Sequence, residues 1–331
     1  MKTFDISTQT ATETSVTVGG KRKTDLLSQP RMLTEIVSVS QTPMGPVKAT
    51  TYVDDEMNAV KLVSPILGMR IEMIACPKEV ALSPAEPVDF FDKMLLESPE
   101  PLGGLGEAKG AVYILAPKAG HQLDIPTLDG QTVRKNEDKT LVAVRPVKPK
   151  PGGKLPYAGD DKDLLAAMKP TRYVQSDDKT VVKLAGEAVG DETEPATAAR
   201  RIEAFVRKHI DKKTLNVGYA SAAEVAEARE GDCTEHAVLT AALCRAAGLP
   251  AKVAVGVAYV DRLGAREHVF GPHAWTLVWV NGKWVGLDAA LPAGFDAGHI
   301  ALSLGDGDPM SFFGLVNSLG FFTIAEVRIE E

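Results

Sequence analysis

Apolar and polar residues alternate with a period of two through the first 86 positions. Phe4 and Ile6, Val16 and Val18, Ile36 to Val39, Thr50 to Val53, Val60 and Leu62, and Met69 to Ile74 each read as a strand, since alternate side chains of a strand share a face. Turn residues at Gly19-Gly20, Pro43-Met44-Gly45-Pro46 and Asp54-Asp55 separate them. An antiparallel β domain over residues 1–86 is predicted, with the segment near Glu79 to Leu82 covering one face. A second β-rich segment, residues 87–150, carries strands over 111–116, 131–133 and 140–144. It closes in Pro146-Val147-Lys148-Pro149-Lys150-Pro151-Gly152-Gly153-Lys154-Leu155-Pro156, the clearest linker composition in the chain.

Beyond the linker, residues 157–331 form the third predicted domain, and the spacing turns helical. Helices are predicted over 161–168, 181–189 and 197–210, the last with Ala198, Ile202, Phe205 and Val206 on one stripe and Arg207, Lys208 and His209 at its negative end. Another runs over 221–229, with Ser221 as cap and Glu224 three positions on. Strands are predicted over 252–260, 298–303 and 321–329, a loop over 261–270 and a helix over 309–319. Mixed strands and helices in this order give an α+β architecture.

Two stretches carry candidate chemistry. In Gly231-Asp232-Cys233-Thr234-Glu235-His236-Ala237, Asp232 is an N-cap and Glu235 completes an Asp-x-x-Glu capping box, so Cys233 opens a helix that Gly248 and Pro250 stop. Unpaired N–H groups and the helix dipole there favour a thiolate and can hold an oxyanion. The carboxylates of Asp232 and Glu235 oppose a second negative charge, so the thiol needs a base. In the second stretch, Asn281-Gly282 between Trp275–Val280 and Lys283–Leu287 marks a two-residue hairpin. If Val280 pairs with Lys283, Trp275 faces Asp288 and His273 faces position 290. His273, Trp275 and Asp288 then share a face, and Asp288 is the diagonal neighbour of His273 at roughly 7 to 8 Å. That spacing supports a nucleophile, base and orienting-acid arrangement.

The order Cys233, His273, Asp288, in the contexts Gly-Asp-Cys-Thr-Glu-His-Ala, His-Ala-Trp and Gly-Lys-Trp-Val-Gly-Leu-Asp, resembles the transglutaminase-like superfamily, in particular its bacterial cysteine protease and amidase members, from about residue 165 to the end. The resemblance implies a papain-like fold, with the cysteine at the start of a helix packed on an antiparallel sheet. It further implies Cys233 as nucleophile, His273 as general base and acid, and Asp288 as its orienter. Ala289 and Gly286 stand where the family often has proline, which concerns the backbone and substrate groove. The function expected is a cysteine-dependent amide-bond reaction through an acyl thioester: peptide or isopeptide hydrolysis, or transfer to an amine.

Each candidate also has a bland role. Cys233 is open to being a core thiol, His273 a strand histidine and Asp288 a turn cap. His236 suits a supporting role beside Cys233, Cys244 the core, and Trp275, Trp279 and Trp284 packing. Cys76 reads as a small apolar filler, and His268 and His299 have no assigned role. Two other function classes stay open: a non-catalytic binding module on the same fold, and a metal site of Cys233, His236, His268 and His273, whose spacing matches no standard zinc set.

Composition narrows the partners. With 331 residues the chain has ample core without disulfides, and three widely separated cysteines give no disulfide framework. Cys233 and Cys244, eleven residues apart on one helix, sit about 16 Å apart. A net charge of −7 with scattered basic residues disfavours nucleic acid and anionic membrane surfaces. No run approaches the ~20 apolar residues of a membrane span. The partner expected is a protein or peptide substrate, with no cofactor. The chain opens directly on strand-like alternation, as an exported protein whose signal is left off would, with a cytoplasmic location the alternative.

Overall fold

In a computed structural model of the chain, residues 2–5, 10–27, 29–42, 45–66, 69–83, 94–118, 121–136, 138–213, 220–308 and 319–331 are described. The chain divides into two compact units, Met1–Lys93 with Val316–Gly320, and Met94–Leu315 with Phe321–Glu331.

The first unit is an antiparallel meander of β1 (Lys2–Asp5), β2 (Thr10–Leu26), β3 (Gln29–Thr42), β4 (Gly45–Val53), β5 (Ala59–Ile66) and β6 (Met69–Ile74), paired in chain order. Period-two alternation and short connections produce this topology, because consecutive strands pair most readily. Gly19-Gly20 does not turn the chain. It lies inside β2, where the register against β3 slips by one residue between Val18 and Lys21. A strand glycine marks a bulge as readily as a turn, and here the strand continues past it. The turn at Asp54 is as expected: its Oδ1 accepts the N–H groups of Glu56 at 3.0 Å and Asn58 at 2.8 Å. Part of the Pro43-to-Pro46 turn falls outside the described residues. The segment near Glu79 becomes a single helical turn, α1 (Lys78–Ala81), with no buried residue, and Leu82 after it is exposed.

In the second unit, β7 (Leu96–Glu97) precedes β8 (Gly110–Pro117), β9 (Gln131–Lys135) and β10 (Thr140–Val144). Then come α2 (Lys162–Ala166), α3 (Lys179–Val189), α4 (Pro195–His209), β11 (Lys212–Lys213), α5 (Ala222–Ala228), β12 (Glu230–Gly231) and α6 (Cys233–Ala246). The strands β13 (Ala251–Leu263), β14 (Arg266–Val280), β15 (Lys283–Leu287), β16 (His299–Gly305) and β17 (Phe322–Glu330) complete it. Of the helix predicted over 309–319, all but Leu319 lies outside the described residues.

The central sheet runs β15-β14-β13-β16, with β7 on β14, and a second sheet runs β17-β8-β10-β9. The architecture is α+β. α6 is buried from Thr234 to Arg245, because its apolar residues ring the whole helix rather than one stripe. It packs on β13 and β14 and is enclosed by α3, α4 and α5. Thr276 in β14 donates its hydroxyl to the Ala237 carbonyl at 2.9 Å, pinning helix to sheet. On the opposite sheet face Ala254, Trp275, Leu277 and Ala301 form a core cluster with Phe295 and Trp284. Gln131 in β9 ties the second sheet to this one by exchanging two hydrogen bonds with the Ala301 backbone.

The predicted loop over 261–270 is instead the tip of a long hairpin, with β13 running to Leu263 and β14 starting at Arg266. Asp261 to His268 are exposed or half-buried where the tip extends beyond the core, whereas Val269 and Phe270, paired with β7, are fully buried. Gly264 adopts φ +61° at the turn, and Arg262 and Glu267 form a cross-strand ion pair at 2.7 Å. The Asn281-Gly282 hairpin has the expected register, Val280 with Lys283 through Thr276 with Leu287. Both turn residues take positive φ, 49° and 89°. The Asn281 amide also donates to the carbonyls of Lys150 and Gly152 at 2.6 and 2.7 Å, so the proline-rich run lies against this turn.

A β-branched residue in the left-handed region is strained. Gly282→Val is expected to lower stability by about 1–2 kcal/mol, read as a lower urea midpoint; an unchanged midpoint would show that the turn does not need this conformation.

Candidate active site

Cys233 is the first residue of α6. Asp232 caps the helix, its Oδ1 accepting the Thr234 N–H at 2.8 Å, and the capping box is complete: Glu235 Oε2 accepts the Asp232 N–H at 2.9 Å. Glu235 is fully buried and also accepts the Ala220 N–H at 2.9 Å. This close approach requires Gly231, where a Cβ would stand 2.3 Å from the Glu235 Cβ. The cap takes the N–H groups of Thr234 and Glu235 and leaves that of Cys233 free of the cap.

The half-buried Cys233 sulfur interacts with the N–H of Ala274, the residue after His273 in β14. Its surroundings push the thiol well above its usual value. Desolvation is the largest cause, the Asp232 charge adds to it, and the Ala274 N–H works the other way. A helix-end dipole is worth about 0.3–1 kcal/mol, whereas burial can move a pKa by several units, so burial wins. The thiol at rest holds its proton.

His273 and Asp288 meet as the hairpin register predicts. The ring Nε2 donates to Asp288 Oδ2 at 2.8 Å, with both residues buried. The other ring nitrogen, Nδ1, is left for another partner. Asp288 follows β15 directly and is held from all sides. Its Oδ1 accepts the Ala290 N–H at 2.8 Å and the Leu291 N–H at 3.1 Å. Its own N–H donates to the buried Glu203 at 3.0 Å, and its carbonyl accepts from Arg207 at 2.7 Å. Glu203 and Arg207 are one turn apart on α4, so this helix fixes the backbone of the acid.

Sequence reasoning left His299 without a role, yet it is part of this cluster. Its Nε2 lies 3.0 Å from Asp288 Oδ2 and its Nδ1 lies 2.9 Å from Asp296 Oδ1. The sheet order explains why it was missed: His273 and His299 sit on β14 and β16, on either side of β13, and no local spacing reveals that pairing. Glu203 and Asp296 gave no signal either, and Arg207 read only as a helix-end charge. Burial opposes ionisation of Asp288, but the hydrogen bonds from His273 and His299 outweigh it and hold the carboxyl far below the usual range. Burial likewise opposes the His299 charge, and Asp288 and Asp296 more than offset it, raising the ring to about 9.

His236 lies beside Cys233 on the helix. Its Nδ1 donates to the Asp232 carbonyl at 2.6 Å, and its Nε2 is buried with no hydrogen-bond partner among the described residues. Burial lowers its pKa, so the ring is neutral. Cys244 is a core residue, whereas Cys76, expected as filler, is only half-buried; all three thiols are free. Trp275 is buried alongside His273, ring centroids 6.1 Å apart, and Trp279 packs edge-on against Trp284. From the sequence, Tyr219 and the backbone near it are candidates for a second oxyanion donor; Tyr219 lies outside the described residues.

The metal set of Cys233, His236, His268 and His273 is not assembled among the described residues. His268 sits near the hairpin tip, with Nδ1 3.0 Å from the Tyr259 hydroxyl. Instead His273, Asp288 and His299 bring three ligand-type atoms within 4.8 Å of one another. Both Asp288 oxygens and both His299 nitrogens already have hydrogen-bond partners there, so the cluster is accounted for without a cation.

Residues 182–289 match the family model of the transglutaminase-like superfamily, one third of the chain ending just past Asp288. No curated protein matches the chain. Among solved structures it is similar to a candidate cysteine protease from Cytophaga hutchinsonii, with 18% identity, a TM-score of 0.43, and coverage of 67% of this chain and 85% of that one. It is also similar to the periplasmic domain of TgpA from Pseudomonas aeruginosa, with 14% identity, a TM-score of 0.38, and coverage of 59% and 86%. None of the described helices is long and apolar enough to cross a membrane.

The Asp288 shift has a definite sign. Its folded pKa lies below the unfolded value of about 3.9, so the stability it contributes is complete above that value and is lost as pH falls through the folded one. Unfolding free energies of wild type and Asp288→Asn, measured by urea from pH 7 to pH 2.5, should differ by about 3 kcal/mol at neutral pH, with the difference narrowing steadily below about pH 4. A constant difference across that range would contradict the assignment.

Proposed function

Since residues 182–289 carry a transglutaminase-like core, we propose that the protein is a cysteine-dependent amide-bond enzyme working through Cys233, His273 and Asp288. The observation that carries this reading is the buried His273–Asp288 hydrogen bond of 2.8 Å, beside a helix-opening cysteine that lies near the backbone of Ala274, the residue after that histidine. The helix-start thiol, the imidazole and the carboxylate are the three parts that acyl transfer by a cysteine requires.

In this reading Asp288 fixes the His273 tautomer with the proton on Nε2, which leaves Nδ1 as the base. Nδ1 takes the Cys233 proton as sulfur attacks the carbonyl carbon of the amide. The oxyanion forms at the start of α6, where the Cys233 N–H is not used by the cap. As the tetrahedral species collapses, the C–N bond breaks and the leaving amine takes the proton from His273. An acyl thioester remains on Cys233. Water or a second amine, deprotonated by the same Nδ1, attacks the thioester and releases a carboxylic acid or a new amide with the thiol restored. The raised thiol pKa fits general-base removal of the proton better than a standing thiolate. The substrate is a protein or peptide, and both acceptors use the same first half-reaction.

The binding-module alternative predicts no turnover. Wild type and Cys233→Ala, incubated with a mixed library of peptides and isopeptides and read by mass spectrometry for hydrolysed and amine-coupled products, separate the two. Loss on the order of 10⁴-fold in Cys233→Ala is expected; equal product from both proteins, or none from either, would refute the enzyme reading.

A further inference from the structure

His299 sits behind His273 as a second imidazole on the same carboxylate oxygen. Asp288 Oδ2 accepts from His273 at 2.8 Å and from His299 at 3.0 Å, and the two ring centroids are 5.6 Å apart. The far nitrogen of His299 faces Asp296 Oδ1 at 2.9 Å; the Asp296 N–H is also near it, at a longer 3.3 Å. Ionised carboxylates only accept hydrogen bonds, so a ring that donates to a carboxylate oxygen at each nitrogen carries two protons. Trp275 and Phe295 pack on the ring, and Tyr113 on β8 gives its hydroxyl to the Ala297 carbonyl at 2.7 Å; Glu203 and Arg207 of α4, which hold the Asp288 backbone, pair with each other at 3.7 Å. The ring is 2% exposed, so water screens little of its field.

We propose that His299 is a positioning residue for the reaction above, a fixed buried cation that shares Asp288 with His273 and so sets the pH at which the Cys233–His273 couple becomes reactive. The proposal rests on the triad reading and adds to it a residue that never touches substrate. A positive charge close to His273 favours the less protonated forms of the couple, whether the remaining proton sits on sulfur or on the ring. The base is thereby kept available at lower pH than an undivided Asp288 would allow. Charge balance points the same way: Asp288 and Asp296 against one His299 cation leave one net negative charge beside His273, whereas without that cation there would be two, and the His273 ring would hold a proton more tightly. The raised value of His299, about 9, is consistent with a ring that stays charged across the working range.

Two measurements test this. In ¹⁵N-histidine-labelled wild type, with the six rings assigned by single substitutions, long-range ¹H–¹⁵N spectra should show both His299 nitrogens protonated from pH 5 to pH 8. A neutral ring at pH 7, with Nδ1 accepting from the Asp296 N–H, would overturn the proposal. In the second, the rate of Cys233 alkylation by iodoacetamide is followed against pH in wild type, His299→Gln and His273→Ala. Gln keeps a donor to Asp288 but removes the charge. A charge within about 6 Å moves a neighbouring pKa by roughly one to three units, so the midpoint in His299→Gln should rise by about one pH unit or more. A midpoint that stays or falls, while wild type still depends on His273, overturns the positioning role alone. A profile indifferent to His273→Ala would instead sink the triad reading itself, whatever the protonation of His299.

Discussion

Everything at the site depends on the Asp288 carboxylate being buried, ionised and immobile. A buried carboxylate is costly unless its oxygens are satisfied. Here Oδ1 takes two backbone N–H groups and Oδ2 takes two imidazoles. The backbone of the same residue is gripped by Glu203 and Arg207 on α4. Because every direction is fixed, the carboxylate can fix something else, the orientation and tautomer of His273. The rest of the unit supplies the frame: a hairpin that brings Asp288 beside His273, and a buried helix that brings Cys233 to the Ala274 N–H.

Two opposing fields act on the thiol, and their sizes decide how it works. The helix start attracts negative charge, but the effect is confined to one turn and is small. Desolvation and the adjacent Asp232 both favour the protonated form and are larger. The carboxylates that build the cap therefore work against the thiolate that a helix start alone would favour. In the proposed reaction, the same residues that make α6 begin at Cys233 are the reason its thiol would need a base.

Where a feature is local, the sequence was enough. The capping boxes at Asp232 and Ser221 and the register about Asn281-Gly282 are set by residues within a few positions of one another, and the structure has all three. The meander of the first unit follows in the same way from alternation. Where composition has two physical meanings, reading it failed: Gly19-Gly20 bulges a strand instead of turning it, and the 261–270 stretch is a hairpin tip, solvated to His268 and buried at its base, not a loop. What depends on the order of strands across a sheet, or on a helix reaching a distant turn, was not legible. His299, Asp296 and Glu203 belong to that class, since nothing near them in the chain marks the acid they surround.

The most direct test of the central constraint asks whether Cys233 feels Asp288 through His273. The rate of Cys233 alkylation by iodoacetamide at pH 7 would be compared in wild type and Asp288→Asn, with near-ultraviolet circular dichroism verifying that both are folded. If the carboxylate orients the base that serves the thiol, the variant reacts slower by about tenfold or more, while Cys76 reacts at an unchanged rate. Equal rates at Cys233 would contradict the account.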